Sequence, residues 1–79
     1  MRVIVKLFAT LVRFKSGIRS ATPFEMDLPE GSLVQDLIET LKIPPEETRV
    51  IFINNIIEDM DSRLKEGDVV GIFPPVGGG

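Results

Sequence analysis

The stretch Gly31-Ser32-Leu33-Val34-Gln35-Asp36-Leu37-Ile38-Glu39-Thr40-Leu41-Lys42 decides the fold, because it carries the clearest helical period in the chain. Leu33, Val34, Leu37, Ile38 and Leu41 recur at helical spacing and leave Gln35, Asp36, Glu39, Thr40 and Lys42 for solvent, so one stripe must pack on another layer. Ser32, with Gln35 three residues on, has the capping-box spacing and predicts a start there. Pro44 and Pro45 disfavour helical backbone at the residues before them, which predicts an end near Lys42 after about three turns.

Outward from the helix, the period changes to two. On the N-terminal side, Val3, Val5, Leu7 and Ala9 alternate with Arg2, Ile4, Lys6 and Phe8, giving an opening strand with an apolar core face and a mixed face. Leu11 to Phe14 reads as a loop with one helical turn, broken by Lys15-Ser16-Gly17. Thr22 to Leu28 alternates again, with Phe24, Met26 and Leu28 on one side, and forms a hairpin with the first strand. On the C-terminal side, Arg49 to Ile53 is β-branched and aromatic, Asn54-Asn55 is a turn, and Ile56-Ile57 resumes extension. Leu64 to Asp68 turns into a last strand, Val69 to Phe73, which Pro74 and Pro75 terminate.

Two hairpins flanking one helix predict an α+β fold: a mixed sheet of four to five strands with one main helix across one face. The β-grasp, or ubiquitin-like, fold is the simplest arrangement of this order. Residues 1–73 are expected to form one domain and residues 74–79 a flexible tail, since 79 residues leave room for a single core.

Composition narrows the chemistry. The chain has no Cys, His, Trp or Tyr, so it lacks a thiol nucleophile, an imidazole base and an ordinary zinc ligand set. A self-contained catalytic site is not expected. Residues 1–20 hold five bases and no acids, but the net charge is −3, which argues against nucleic-acid binding and favours an acidic surface meeting a basic partner. The acid-free start reads as a strand rather than a transit peptide, because its apolar residues alternate. No apolar run approaches the ~20 residues that cross a membrane, and the protein is expected to be soluble and cytoplasmic. Glu58, Asp59 and Asp61 make an acidic turn without ordered ligand spacing, and Glu46-Glu47 a solvated loop; no metal is assigned.

The end of the chain is different in kind. Gly77-Gly78-Gly79 follows the last strand after Pro74, Pro75 and Val76. Gly79 has no Cβ to crowd its carboxylate, and Gly77 and Gly78 let the backbone pass a narrow channel. Ordering such a tail costs about 1–2 kcal/mol per residue fixed, which the stiff Pro74-Pro75 base reduces. Extended from Pro74, it reaches at most ~20 Å.

With Leu64, Gly67-Asp68, Val70, and Phe73-Pro74-Pro75-Val76 leading into Gly78-Gly79, and Phe8-Ala9 closing the first strand, the sequence resembles the MoaD/ThiS family of ubiquitin-like sulfur carriers. The Pro-Pro-Val step brings it nearest the branch that supplies the small subunit of molybdopterin synthase. It departs from that branch at Gly77, where a small polar residue is more usual, and at Asn54-Asn55, where Asn-Gly is more usual. The resemblance implies that an adenylating enzyme of the MoeB/ThiF type uses ATP to activate the Gly79 carboxylate. A sulfur donor protein then leaves a thiocarboxylate, and the tail enters the large catalytic subunit of molybdopterin synthase, which builds the dithiolene of the molybdenum or tungsten cofactor. The chain itself would bind no cofactor.

A docking surface is expected beside the tail. If Val70 and Ile72 face the core, Phe73 and Gly71 face away. Phe52 joins the surface if Ile51 and Ile53 are the core pair, and Phe8 lies on the mixed face of the first strand; the competing reading places Phe8 and Phe52 in the core. Three other functions fit the same residues: a sulfur carrier for thiamine or cysteine synthesis, a protein modifier conjugated through Gly79, and an interaction module with an incidental tail.

Overall fold

A computed structural model describes residues 1–75. Its elements run β1 (Arg2–Leu7), a 3-10 helix (Ala9–Phe14), β2 (Phe24–Asp27), α1 (Val34–Thr40), a 3-10 turn (Pro45–Glu47), β3 (Val50–Ile53), β4 (Ile56–Glu58) and β5 (Val69–Phe73). The strands form one sheet in the order β2-β1-β5-β3-β4. Both expected hairpins are present and antiparallel, β1 with β2 and β3 with β4. The last strand lies between them, parallel to β1 and antiparallel to β3. This mixed sheet with one α-helix is the β-grasp fold.

The register explains the layering. Val3, Val5 and Leu7 of β1, Val70 and Ile72 of β5, and Ile51 and Ile53 of β3 all turn to one face and are buried. Val34, Leu37 and Ile38 of α1 close over them, and Leu11, Leu28, Ile43 and Leu64 seal the margins. Each such aliphatic side chain contributes about 1.5–3 kcal/mol by leaving water. Leu33 and Leu41, expected in the same stripe, are only half-buried, because they stand just outside the helix.

The helix starts one residue later than the Ser32 capping box predicted. Leu33 is the N-cap, and its backbone N–H donates to Asp36 Oδ2 at 2.8 Å, so Asp36 has a capping role rather than a purely solvent-facing one. The Ser32 hydroxyl is occupied elsewhere, donating to Pro29 O at 2.7 Å. Two further N–H groups of the first turn, those of Val34 and Gln35, donate to Ser62 O and Met60 O, so a distant loop satisfies the helix end.

The other end also differs from expectation. The helix closes before the prolines act, with Lys42 in the left-handed region at φ 61°. The Ile43 N–H donates to Ile38 O and the Lys42 N–H to Glu39 O, the two bonds of a Schellman motif. A side chain at that backbone angle is strained by about 1–2 kcal/mol, partly offset by the extra freedom glycine has when unfolded. Lys42→Gly is therefore expected to stabilise the fold by about 0.5–1 kcal/mol, read as a rise in the urea midpoint at constant slope.

Ala9 is a correction as well. Alternation put it on the core face of β1, but the strand stops at Leu7 and Ala9 is exposed at φ 52°, the first residue of the 3-10 helix. The Ala9 N–H donates to Ser20 Oγ at 3.0 Å, and Leu11, two residues on, occupies the core instead. The Leu11–Phe14 segment is thus more ordered than a loop.

Candidate functional site

β5 is the central strand of the five, and the chain leaves the sheet from its end. Its last ladder bond runs from the Arg49 N–H to Phe73 O at 2.8 Å. Pro74 and Pro75 have no N–H to continue the ladder, so the strand ends at Phe73. Two 3-10 segments flank this exit, one following Phe8 and one preceding Arg49, and the Arg13–Glu47 ion pair ties them together. The expected threading residues Pro74 and Pro75 are described, half-buried and exposed respectively. Val76, Gly77, Gly78 and Gly79 lie outside the described residues.

Beside the exit, on the face of the sheet opposite α1, the three expected aromatics meet. Leu7 pairs with Ile72, so Phe8 stands level with Phe73, and the Phe8 N–H donates to Ile72 O at 3.1 Å. The two rings stack with centroids 4.0 Å apart and an interplanar angle of 10°. Phe52 is opposite Gly71 in β5, one diagonal step from Phe73, and meets that ring edge-on at 5.6 Å and 77°. Such pairs add about 0.5–1.5 kcal/mol each beyond the area they bury. All three rings are half-buried, so Phe8 and Phe52 are not core residues.

Gly71 lies beneath the cluster, at a position the sequence marks only as outward-facing. It sits under the rings; a Cβ there would come 3.4 Å from a Phe8 ring carbon and 4.0 Å from one of Phe73. Those are ordinary van der Waals contacts, so a Cβ would fit but would take up floor space in the concavity of about 280 Å³ lined by Lys6, Phe8, Phe52, Asn55, Val69, Gly71 and Phe73. A glycine inside a β-branched strand is the signal that could have found it. Beyond Phe52, its cross-strand partner Ile57 extends the apolar surface toward the sheet edge and is 67% exposed.

The start of β5 is fixed by a polar latch. Asn54 and Asn55 both have positive φ, 52° and 70°, as a tight hairpin turn requires. Asn54 Nδ2 donates to buried Asp68 Oδ1 at 3.0 Å, while Asn54 Oδ1 accepts from the Val69 N–H at 3.0 Å. Asp68 Oδ2 accepts from the Lys65 N–H, so the carboxylate is fully engaged. The Asn-Asn turn therefore sets the register of the strand that carries Phe73.

Among the described residues, no three His, Cys, Asp or Glu side chains are gathered to hold a metal ion. In the acidic turn, Glu58 accepts from the Ser62 hydroxyl. No helix among them is long and apolar enough to cross a membrane.

The model of the ThiS family matches residues 5–79. Among solved structures, a candidate molybdopterin converting factor subunit 1 from Pyrococcus furiosus is 36% identical, with a TM-score of 0.73 over 96% of this chain and 99% of that one. A complex of subunits 1 and 2 of the molybdopterin-converting factor from Helicobacter pylori contains a chain 24% identical, with a TM-score of 0.61 and full coverage of both chains. SAMP1 from Haloferax volcanii is 24% identical, with a TM-score of 0.72 and full coverage of both. No curated protein matches.

Proposed function

The chain belongs to the ThiS family, and on that premise we propose that it is a sulfur carrier working as the small subunit of molybdopterin synthase. A Gly79 carboxylate oxygen attacks the α-phosphorus of ATP on an adenylating enzyme of the MoeB/ThiF type, and pyrophosphate leaves. The terminal sulfur of a persulfide on a sulfur donor protein then attacks the acyl carbon and AMP leaves; a second thiol of the donor cleaves the resulting acyl disulfide, leaving the thiocarboxylate on Gly79 and a disulfide on the donor. The body of the domain docks on the large subunit and the tail places that sulfur in the larger protein's active site. The final metal is molybdenum or tungsten.

The observation that carries this reading is the aromatic face at the root of the tail. Phe8, Phe52 and Phe73 are held half-exposed by the sheet register, beside the end of β5, where Pro74-Pro75 leads in sequence to the terminal glycines. An aromatic cluster that no part of the described chain covers is what an interface core requires. The 36% identity to a candidate molybdopterin converting factor subunit 1 supports the molybdopterin branch over thiamine or cysteine synthesis.

Docking has a direct test. Phe73 touches both other rings, so Phe73→Ala removes the centre of the patch and is expected to weaken binding to the large subunit of the source organism by roughly 30- to 100-fold. Titration calorimetry measures this, with a thermal melt of the free variant as control. An affinity within twofold of the parent would place the interface elsewhere.

A further inference from the structure

We propose that Lys6 is the specificity-determining charge of the aromatic groove, pairing with a carboxylate that the docking partner sets beside an apolar side chain filling the groove. The inference rests on the reading of this face as the docking surface and names the chemistry it selects.

The groove is apolar on nearly every side. Phe8, Phe52 and Phe73 form its walls and Gly71 its floor, Asn55 closes one end, and no acid lines it. At about 280 Å³ it falls just below the ~300–1,000 Å³ of small-molecule sites, which suits a side chain better than a cofactor. Lys6 is opposite Gly71 in the β1–β5 register, so its side chain rises from the same floor. It is half-buried, its stem lining the groove, and it makes no ion pair among the described residues. Such a stem covers apolar surface while its ammonium stays available at the rim.

Among the described residues, its neighbours leave that charge unanswered. Across β1, residues 4 and 8 on the same face are Ile and Phe, and across β5 they are Val69, Gly71 and Phe73. The nearest acid on this face, Glu25, is opposite Ile4, and it already pairs with Arg2 at 3.4 Å. Arg2 is further neutralised by Asp27 at 3.1 Å. On a chain of net charge −3, Lys6 is a cation with no ion pair among the described residues, beside an aromatic groove. An apolar residue alone would bury that cation against nothing; an apolar residue next to an Asp or Glu matches both halves of the site.

The test uses the full-length chain and two probes, the large subunit of molybdopterin synthase and the adenylating enzyme from the source organism. Titration calorimetry at low and high salt compares the parent with Lys6→Ala, Lys6→Glu, Lys6→Arg and Phe73→Ala. With the large subunit, Lys6→Glu is expected to weaken binding roughly tenfold to 100-fold, Lys6→Arg to stay within about threefold, and Lys6→Ala to flatten the salt dependence; an effect confined to the adenylating enzyme would overturn the assignment to the large subunit. If Lys6→Glu disturbs the melt, the Lys6→Ala salt slope decides alone. Loss of binding with Phe73→Ala but not with any Lys6 variant would overturn this proposal and leave the docking face standing. Binding unaffected by Phe73→Ala and by Lys6→Glu, or no binding by the parent, would overturn both.

Discussion

A chain lacking Gly78 and Gly79 is expected to melt within about 1 °C of the full chain and yet to lose sulfur transfer by more than roughly 100-fold. The first half follows from the fold. Among the described residues, every core side chain lies between Val3 and Ile72 and the last sheet bond is made by Phe73 O, so the deletion removes none of these contacts. The second half follows from reach. Two residues of extended backbone span about 7 Å, and misplacing a reacting atom by even 1 Å costs about 100-fold. Circular dichroism melts and a reconstituted transfer assay measure the two arms. A truncated chain that still delivers sulfur would show that the terminal carboxylate is not the reacting group.

Leu37→Ala should have the largest effect on stability. Leu37 is fully buried in the one helix, facing the sheet at the centre of the sequence stretch that specifies the fold. Truncation removes its transfer energy and leaves a cavity, together about 3–5 kcal/mol. A domain of this size holds about 4–12 kcal/mol in total, so the variant should lose about a quarter or more of its margin. Urea denaturation reads this directly. A loss below about 1 kcal/mol would mean that the helix does not anchor the core as its burial requires.

Much of this architecture was legible because it rests on local period. Alternation in β1 and β3 and the 3.6-residue stripe of α1 each identify a buried face without knowledge of the partner. The same alternation put Phe73 outside the core but left Phe52 open between the surface and the core; the structure has both half-buried on the face opposite the helix. The errors occur where a local rule met a competing use of the same atoms. Ser32 looks like a cap, but its hydroxyl is committed to the Pro29 carbonyl, and Asp36 caps the helix from within. Ala9 continues the strand pattern, but the chain turns left-handed there.

What depended on long-range pairing was not legible. Nothing local reveals that β5 inserts between β1 and β3, and only that insertion stacks Phe8 on Phe73 and sets Lys6 across from Gly71. The groove is a product of register between segments more than sixty residues apart. Sequence supplied its residues; the parallel pairing assembled them.

Everything in the proposed function turns on sulfur carried by Gly79. The most direct measurement is the intact mass of the chain purified from its source, or incubated with ATP, the adenylating enzyme and a sulfur donor. The expected result is a mass gain of one oxygen replaced by sulfur, mapped to Gly79 by fragmentation and absent when ATP is omitted. An unmodified C-terminus in a mixture that activates a known carrier of this family would contradict it, and higher-mass conjugates through Gly79 to lysine without any thiocarboxylate would make the chain a protein modifier instead.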